Sequence, residues 1–274
     1  MDKKKEYLIG DVSRIVGLSR DALRFYEKKG IIHAKKKENG YRYFSDEDIY
    51  RLMCIVYRRK MNDSLEEIKD FVKDDKPVAH MRQHLERRIG EEEEEICRRR
   101  QTIARLKLSI HDMENIEAYE GKCVLKELPA AYILDTCEDL YDSLRQWFSM
   151  SSEVSGLDMA YFYNVFSMRN GMLENEGTQL LIYKGLEPFI NSGFDLSACL
   201  STEPLPCVYR VEASKDLLPD AAAAETMADW ASSQGFVPTG VFYSNNMTSF
   251  LGEDTNIYYL ELYMPVIPAG KKNK

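Results

Sequence analysis

No stretch of this chain approaches the roughly 18 consecutive apolar residues that a membrane span needs. With 30% of the residues charged, an integral membrane protein is excluded. The start, MDKKKEYLIG, has cations but no apolar run behind them, so no export signal is expected and the reading is cytoplasmic. The six cysteines (Cys54, Cys97, Cys123, Cys137, Cys199, Cys207) form no CxxC, and only the last two, flanking LSTEPLP, lie close together. Zinc or redox spacing is missing, which leaves isolated reduced thiols as the expectation. Histidine is also sparse: His33, His80, His84 and His111 all precede the last 150 or so residues, where no Ser/His/Asp or Cys/His set is visible. No metal, cofactor or catalytic residue is expected.

What the chain does have is charge, unevenly spread. The formal charge is -8, yet residues 1–60 hold 16 Lys and Arg against 9 Asp and Glu. Residues 61–120 hold 11 against 16, and residues 121–274 hold 10 against 20. A basic front and an acidic back imply two different partners. At 274 residues and 44% hydrophobic, the chain can bury about two domains.

The front, YLIGDVSRIVGLSRDALRFYEKKGII, shows helical spacing. Ile9, Val12, Ile15 and Val16 form one apolar stripe, Gly17 permits a sharp turn, and Leu18 anchors it. Ser19 is placed to cap a second helix, Leu23 and Tyr26 face inward, and Gly30 suits the left-handed position that ends it. Two short helices joined through a glycine make a helix-turn-helix, whose second member enters a major groove. Next, AKKKENGYRYF places Asn39-Gly40 between Lys35, Lys36, Lys37 and Tyr41, Arg42, Tyr43. That predicts a hairpin in which both turn residues take positive φ, and hence a basic wing. Ser45 caps SDEDIYRLMCIVYRRK, and Ser64 with Glu67 forms a capping box before SLEEIKDFV.

With ALRFYEKKGII, NGYRYFSDEDIYRL and SLEEIK, the first 75 or so residues resemble the DNA-binding domain of the MerR family of transcription regulators. One departure is Ala34, where the family often has proline. The resemblance implies double-stranded promoter DNA and RNA polymerase as partners. It also implies that Arg24, Tyr26, Tyr41 and Arg42 touch phosphates or bases, and that Arg59 touches backbone. Lys36 on the wing joins them as a phosphate contact, and Ser19 and Arg20, early on the second helix, are the candidates for base edges. Cations release condensed counterions, and tyrosine hydroxyls donate to phosphate oxygens.

From Val78 to Tyr119 there is no proline and one glycine. Ile89, Ile96, Ile103 and Ile110 recur every seven residues, with Leu85, Leu106 and Met113 on the companion position. That is a coiled-coil seam. Antiparallel pairing about a centre near Cys97 sets Ile89 against Leu106 and Ile110 against Leu85, with Glu92 and Arg99 near the crossing. A homodimer follows, because a single helix-turn-helix reads only one half-site.

After Gly121 the texture turns to aromatic strands. CVLKELPAAYILD reads as a strand, CEDLYDSLRQWFSMSSEV as a helix, and MAYFYNVFSM and TQLLIYKGL as strands joined by a hairpin at RNGMLENEG. The pattern recurs in LPCVYRVEAS, LPDAAAAETMADWASSQG, GVFYSNNMTSF and IYYLELYMPV. Two strand-helix-strand-strand units predict a duplicated α+β domain. Order, length and YYLELYMPV make it similar to the gyrase-inhibitor-like effector domain of multidrug-sensing regulators. That resemblance implies a hydrophobic, often cationic small molecule between the halves, with Glu261 as its carboxylate. On the strand, Tyr259, Glu261 and Tyr263 share one face, which suits an ammonium and its apolar body. An exposed glutamate on an edge strand is the plainer alternative. Tyr163 and Trp147 lead the remaining aromatic candidates, ahead of Phe166, Tyr183, Trp230 and Tyr243.

The expected fold is therefore α+β. It comprises a winged helix-turn-helix (1–75), a long antiparallel coiled-coil dimer helix (76–120), a duplicated effector domain (121–268) and a basic tail (269–274). Two other functions compete. A metal or redox sensor would need cysteines at the start of the dimer helix, where KPVAHMR offers only His80. A small-molecule hydrolase could use a carboxylate with tyrosines, as some stand-alone domains of this type do.

Overall fold

In the computed structural model, residues 5–73, 77–169, 172–191, 193–247 and 257–270 are described. They fall into two compact units, Met1–Glu92 and Glu93–Lys274. The junction expected at residue 75, the tip of the RNGMLENEG hairpin, the end of GVFYSNNMTSF and most of the basic tail lie outside the described residues. Among those described, no helix is long and apolar enough to cross a membrane.

The first unit runs β1 (Glu6–Leu8), α1 (Ile9–Val16), α2 (Arg20–Lys28), β2 (Lys35–Lys36), β3 (Arg42–Ser45), α3 (Asp46–Lys60) and α4 (Leu65–Lys73). Gly17 turns the chain at φ +70 between α1 and α2, as its missing Cβ allows. Ser19 Oγ accepts from Ala22 N at 3.1 Å, and Gly30 follows α2 at φ +69. The Ser64–Glu67 capping box is reciprocal, at 2.7 and 3.1 Å. Val12, Leu23, Ile31, Ile32, Phe44, Leu52, Ile55 and Ile68 form the core.

Two local expectations need correction. Ile15 is exposed: in an eight-residue α1 the buried face is set by Ile9, Val12 and Val16, and Ile15 lies about 100° off it. The wing turns through three residues, Glu38, Asn39 and Gly40, closed by Lys37 N to Tyr41 O at 3.2 Å. Only Gly40 has positive φ, because Asn39 instead bonds through Oδ1 to Tyr41 N, at 3.1 Å. Strand β1 also joins the wing, giving the order β1-β3-β2.

Helix α5 (Pro77–Tyr119) is one continuous helix. Its early turns hold the end of α3: Asp63, buried after the positive-φ residue Asn62, lies 2.7 Å from Arg58 and 2.8 Å from His84. Its later turns enter the second unit, where Ala104 and Leu108 pack with Leu157, Ile182 and Ile190. Arg105 clamps Asp158 through two bonds of 2.5 and 2.6 Å. Ile89, Ile96, Ile103 and Ile110 stay 51–57% exposed, and Leu106 60%.

The second unit comprises β4 (Val124–Leu128), β5 (Ala131–Cys137), α6 (Leu140–Glu153), β6 (Tyr161–Arg169), β7 (Met172–Tyr183), β8 (Leu200–Ser201), β9 (Leu205–Ser214), α7 (Ala221–Ser233), β10 (Phe236–Pro238), β11 (Val241–Asn246) and β12 (Tyr258–Pro268). The nine strands form an antiparallel sheet ordered β4-β9-β12-β11-β6-β7-β5-β8, with β10 against the end of β12. This order exposes the duplication. The repeat β5-α6-β6-β7 is laid out 5-7-6 and the repeat β9-α7-β11-β12 is laid out 9-12-11, so the halves join through β6 and β11.

CVLKELPAAYILD is two strands, not one. Around Pro129 and Ala130 the chain leaves β4, paired with β9 of the other half, and enters β5, paired with β7. Most of RNGMLENEG is strand as well, since β7 starts at Met172. On β12, Leu260, Leu262 and Met264 pack under α7 with Ala223, Ala224, Met227 and Ala231. Each such leucine contributes about 2 kcal/mol of burial. The alternate residues face the opposite way, toward a cluster rich in tyrosine.

Candidate functional site

The basic face of the first unit carries the predicted cations in partly neutralised form. Arg24 pairs with Asp21 at 3.1 Å, Arg42 with Glu27 at 2.7 Å, and Lys37 with Glu6. Arg59 donates to the Asp63 carbonyl at 2.5 Å. The guanidinium of Arg20 lies over Gly10, where a Cβ would meet Nη2 at 3.1 Å. Ser19, Arg20, Arg24, Lys36, Tyr41 and Arg59 are exposed, whereas Arg42 is half-buried and Tyr26 packs partly into the core. Solvated ion pairs of this kind are worth little, so a phosphate can replace the carboxylate.

The second unit gathers one carboxylate and a set of tyrosines. Strand β12 lies between β9 and β11, so Glu261 sits in the middle of the sheet and is only 6% exposed. The edge-strand alternative therefore fails. Residues directly opposite in an antiparallel ladder share a face. Glu261 lies opposite Asn245, Asn245 opposite Tyr163, and Tyr263 opposite Tyr209, which closes a ring around the carboxylate.

Tyr163 Oη donates to Glu261 Oε2 at 2.8 Å. Tyr209 and Tyr263 donate to Oε1 at 3.2 and 3.1 Å, and Asn245 Nδ2 reaches Oε2 at 3.4 Å. A hydroxyl has one proton, so Tyr163, bonded to the carboxylate, accepts from Tyr183 at 2.6 Å. Burial first, then the charge of Glu261, pushes the hydroxyls of Tyr163, Tyr183, Tyr209 and Tyr263 well above the ordinary tyrosine value. They remain neutral donors. Tyr161 packs against Tyr183 at a 37° tilt with ring centroids 4.6 Å apart, and Tyr119 meets Tyr209 edge-on at 5.4 Å.

Of the predicted ligand residues, Glu261, Tyr263 and Tyr163 come together, with Tyr259 half-buried in the same cluster. Trp147 does not join them. It packs 6.0 Å from Phe162, whose side chain alternates away from Tyr161 and Tyr163. Trp147 lines a cavity of about 390 Å³ with Arg105, Asp112, Phe162 and Met247, and its Nε1 is buried without a partner among the described residues. Tyr161 and Asn245 line that cavity too. Phe166 and Trp230 belong to the core under α7. Tyr209, Asn245 and Lys126 are cage residues that sequence reasoning missed.

Residues 7–75 match the family described as MerR HTH family regulatory protein. HTH-type transcriptional regulator CueR of Escherichia coli O6:H1 is 37% identical over 65 residues, 23% of this chain and 48% of that protein. HTH-type transcriptional regulator ZntR of Escherichia coli K12 is 31% identical over 67 residues, 24% and 48% of the two chains. The chain thus spans about half the length of these curated relatives. Among solved structures, the EcmrR–DNA complex in EcmrR-RPo is 18% identical and covers 96% of this chain and 100% of that one, with a TM-score of 0.36. SAV2435 bound to tetraphenylphosphonium is 12% identical over 53% of this chain and 94% of that one, with a TM-score of 0.31. At these TM-scores neither likeness bears on fold or ligand.

Proposed function

Taking residues 7–75 as a helix-turn-helix domain of the MerR regulatory family, we propose that the chain is a homodimeric, ligand-responsive transcription regulator. Residues 1–75 bind double-stranded promoter DNA, residues 76–120 pair two copies antiparallel, and residues 121–268 hold a hydrophobic cation at Glu261. RNA polymerase is the further partner, reached by bending and untwisting promoter DNA with an overlong spacer.

The observation that carries the effector reading is Glu261 itself. A carboxylate taken out of water in mid-sheet is costly unless charge or hydrogen bonds compensate it. Three tyrosine hydroxyls and an amide offset that cost in the resting site, and the rings that carry those hydroxyls add aromatic faces to the cluster around it. A lipophilic cation would supply the opposite charge and bury its own apolar body on those faces. The bare isoleucine stripe of α5 supports the dimer in the same way, since a seam exposed over four heptad positions lacks its covering partner. Regulation then requires that ligand bind one arrangement of the dimer better than another, because equal affinity shifts nothing.

The test is calorimetric titration of tetraphenylphosphonium into the full-length chain and its Glu261→Gln variant. The variant, checked for its native fold by circular dichroism, should bind at least tenfold more weakly, as expected for loss of one partly desolvated charge pair. Equal binding would remove Glu261 from the effector site.

A further inference from the structure

The tyrosine cage already holds a cation. Lys126, on β4, places Nζ 4.1 Å from the ring centroid of Tyr209 and 5.3 Å from that of Tyr119. It donates to Asn115 Oδ1 at 3.0 Å. Tyr209 is the same residue whose hydroxyl bonds Glu261, so ammonium and carboxylate meet on one ring, one over its face and the other at its oxygen. Among the described residues, strand β4 lies at the end of the sheet and pairs with β9 alone, so the lysine stands on an edge strand. Asn115 is buried, yet its Nδ2 has no partner among the described residues. The resting contact therefore uses half of an amide able to do more.

We propose that Lys126 is a tethered counter-cation of the effector site, seated on the aromatic surface that a cationic ligand takes and displaced when that ligand binds. The inference rests on the reading of Glu261 as the cation-binding carboxylate. It sets the ligand class. Exchanging one cation for another gains little Coulomb energy, so the ligand must win by burying apolar surface. Bulky lipophilic cations can do this. Small hydrophilic amines and metal ions, which offer charge alone, cannot displace an ammonium held at high effective concentration.

The exchange also makes binding pH-dependent. Lys126 is faced by Asn115 and Tyr119 from α5 and by Tyr209 and its ladder partner Cys207 from β9, and it feels the charge of Glu261 on β12. Burial lowers the Lys126 value, with Glu261 opposing, while it raises the Cys207 thiol to about 12 and lifts Tyr183, Tyr209 and Tyr263. On the alkaline side the ammonium gives up its proton before those groups do.

Titration of the full-length chain with tetraphenylphosphonium, whose charge does not change with pH, between about pH 7 and about pH 10 tests the proposal. The unmodified protein should bind more tightly as pH rises. Lys126→Met should bind about tenfold more tightly at neutral pH and show no alkaline change, and Lys126→Gln should behave alike should Met impair folding. Lys126→Arg, which keeps its charge throughout, should match the unmodified protein at neutral pH and stay flat. Neutral variants that bind no more tightly, with Glu261→Gln still losing affinity, would overturn the tethered cation and leave the carboxylate site standing. Undiminished binding by Glu261→Gln would take both away.

Discussion

Replacing Tyr163 with phenylalanine removes one oxygen from the cage and leaves the ring in place. Tyr163 is fully buried, so no water can take over the vacated position cheaply. Glu261 Oε2 loses its 2.8 Å donor and keeps only Asn245 at 3.4 Å. A hydrogen bond to a charged group is worth about 1.5–3 kcal/mol. Tyr183 loses its acceptor as well, and because its hydroxyl is buried this moves the cost toward the upper part of that range. The sum is about 2–3 kcal/mol, a factor of roughly 30–150 in the unfolding equilibrium. Both tryptophans, Trp147 and Trp230, lie in the second unit, so their fluorescence during urea unfolding reports that unit by itself. The midpoint should fall by about 1–1.5 M urea. Tyr141→Phe, on the exposed face of α6, is the control and should change stability by less than about 0.5 kcal/mol. A Tyr163→Phe protein as stable as its parent would mean that the hydroxyls do not hold Glu261, and the electrostatic account of the site would fall.

Arg42→Ala should weaken promoter and random duplexes by the same factor and lower the salt slope by about one, whereas Glu27→Gln, which frees Arg42 from its 2.7 Å partner, should strengthen both. A fluorescence-anisotropy titration showing loss on the promoter alone would contradict this. Ile103→Glu should convert a dimer into a monomer by equilibrium sedimentation at micromolar concentration, and a monomeric parent protein would refute the seam. Hydrogen bonding from Arg105 holds the Asp158 carboxyl below its usual value, so this pair stabilises fully above the ordinary aspartate range and loses its effect as pH falls through the lowered value. Because Arg105 remains partly exposed, Asp158→Asn should cost about 0.5–1 kcal/mol at neutral pH, and the gap should close below about pH 4.

The local signals were legible. Ser19, Ser45 and Ser64 cap helices as written, because a cap needs only its own next three residues. The unbroken helix of α5 and the glycine ending α7 are equally local. Asn39-Gly40 misled because a two-residue turn and a three-residue loop share the dipeptide, and a side-chain bond from Asn39 decides between them. Pro129 marked a break inside CVLKELPAAYILD, but its meaning depends on β9, some eighty residues later. The cage divides along the same line. Glu261, Tyr259 and Tyr263 could be read from one strand's alternation, whereas Tyr209, Asn245 and Lys126 arrive through pairings across β9, β11 and β4. Nothing in the sequence states those registers. Trp147 lies on α6, and its local sequence does not say which face of β6 that helix covers.

The mirrored strand order has a consequence for the halves taken singly. A gene cut between β8 and β9 would leave β6 of one fragment and β11 of the other with bare ladder groups along their shared border, and would part β4 in the first fragment from β9 in the second. The two pieces should find each other when mixed. Each alone would face the same border on its own copies, so reassembly from parts is built into the way the sheet is stitched.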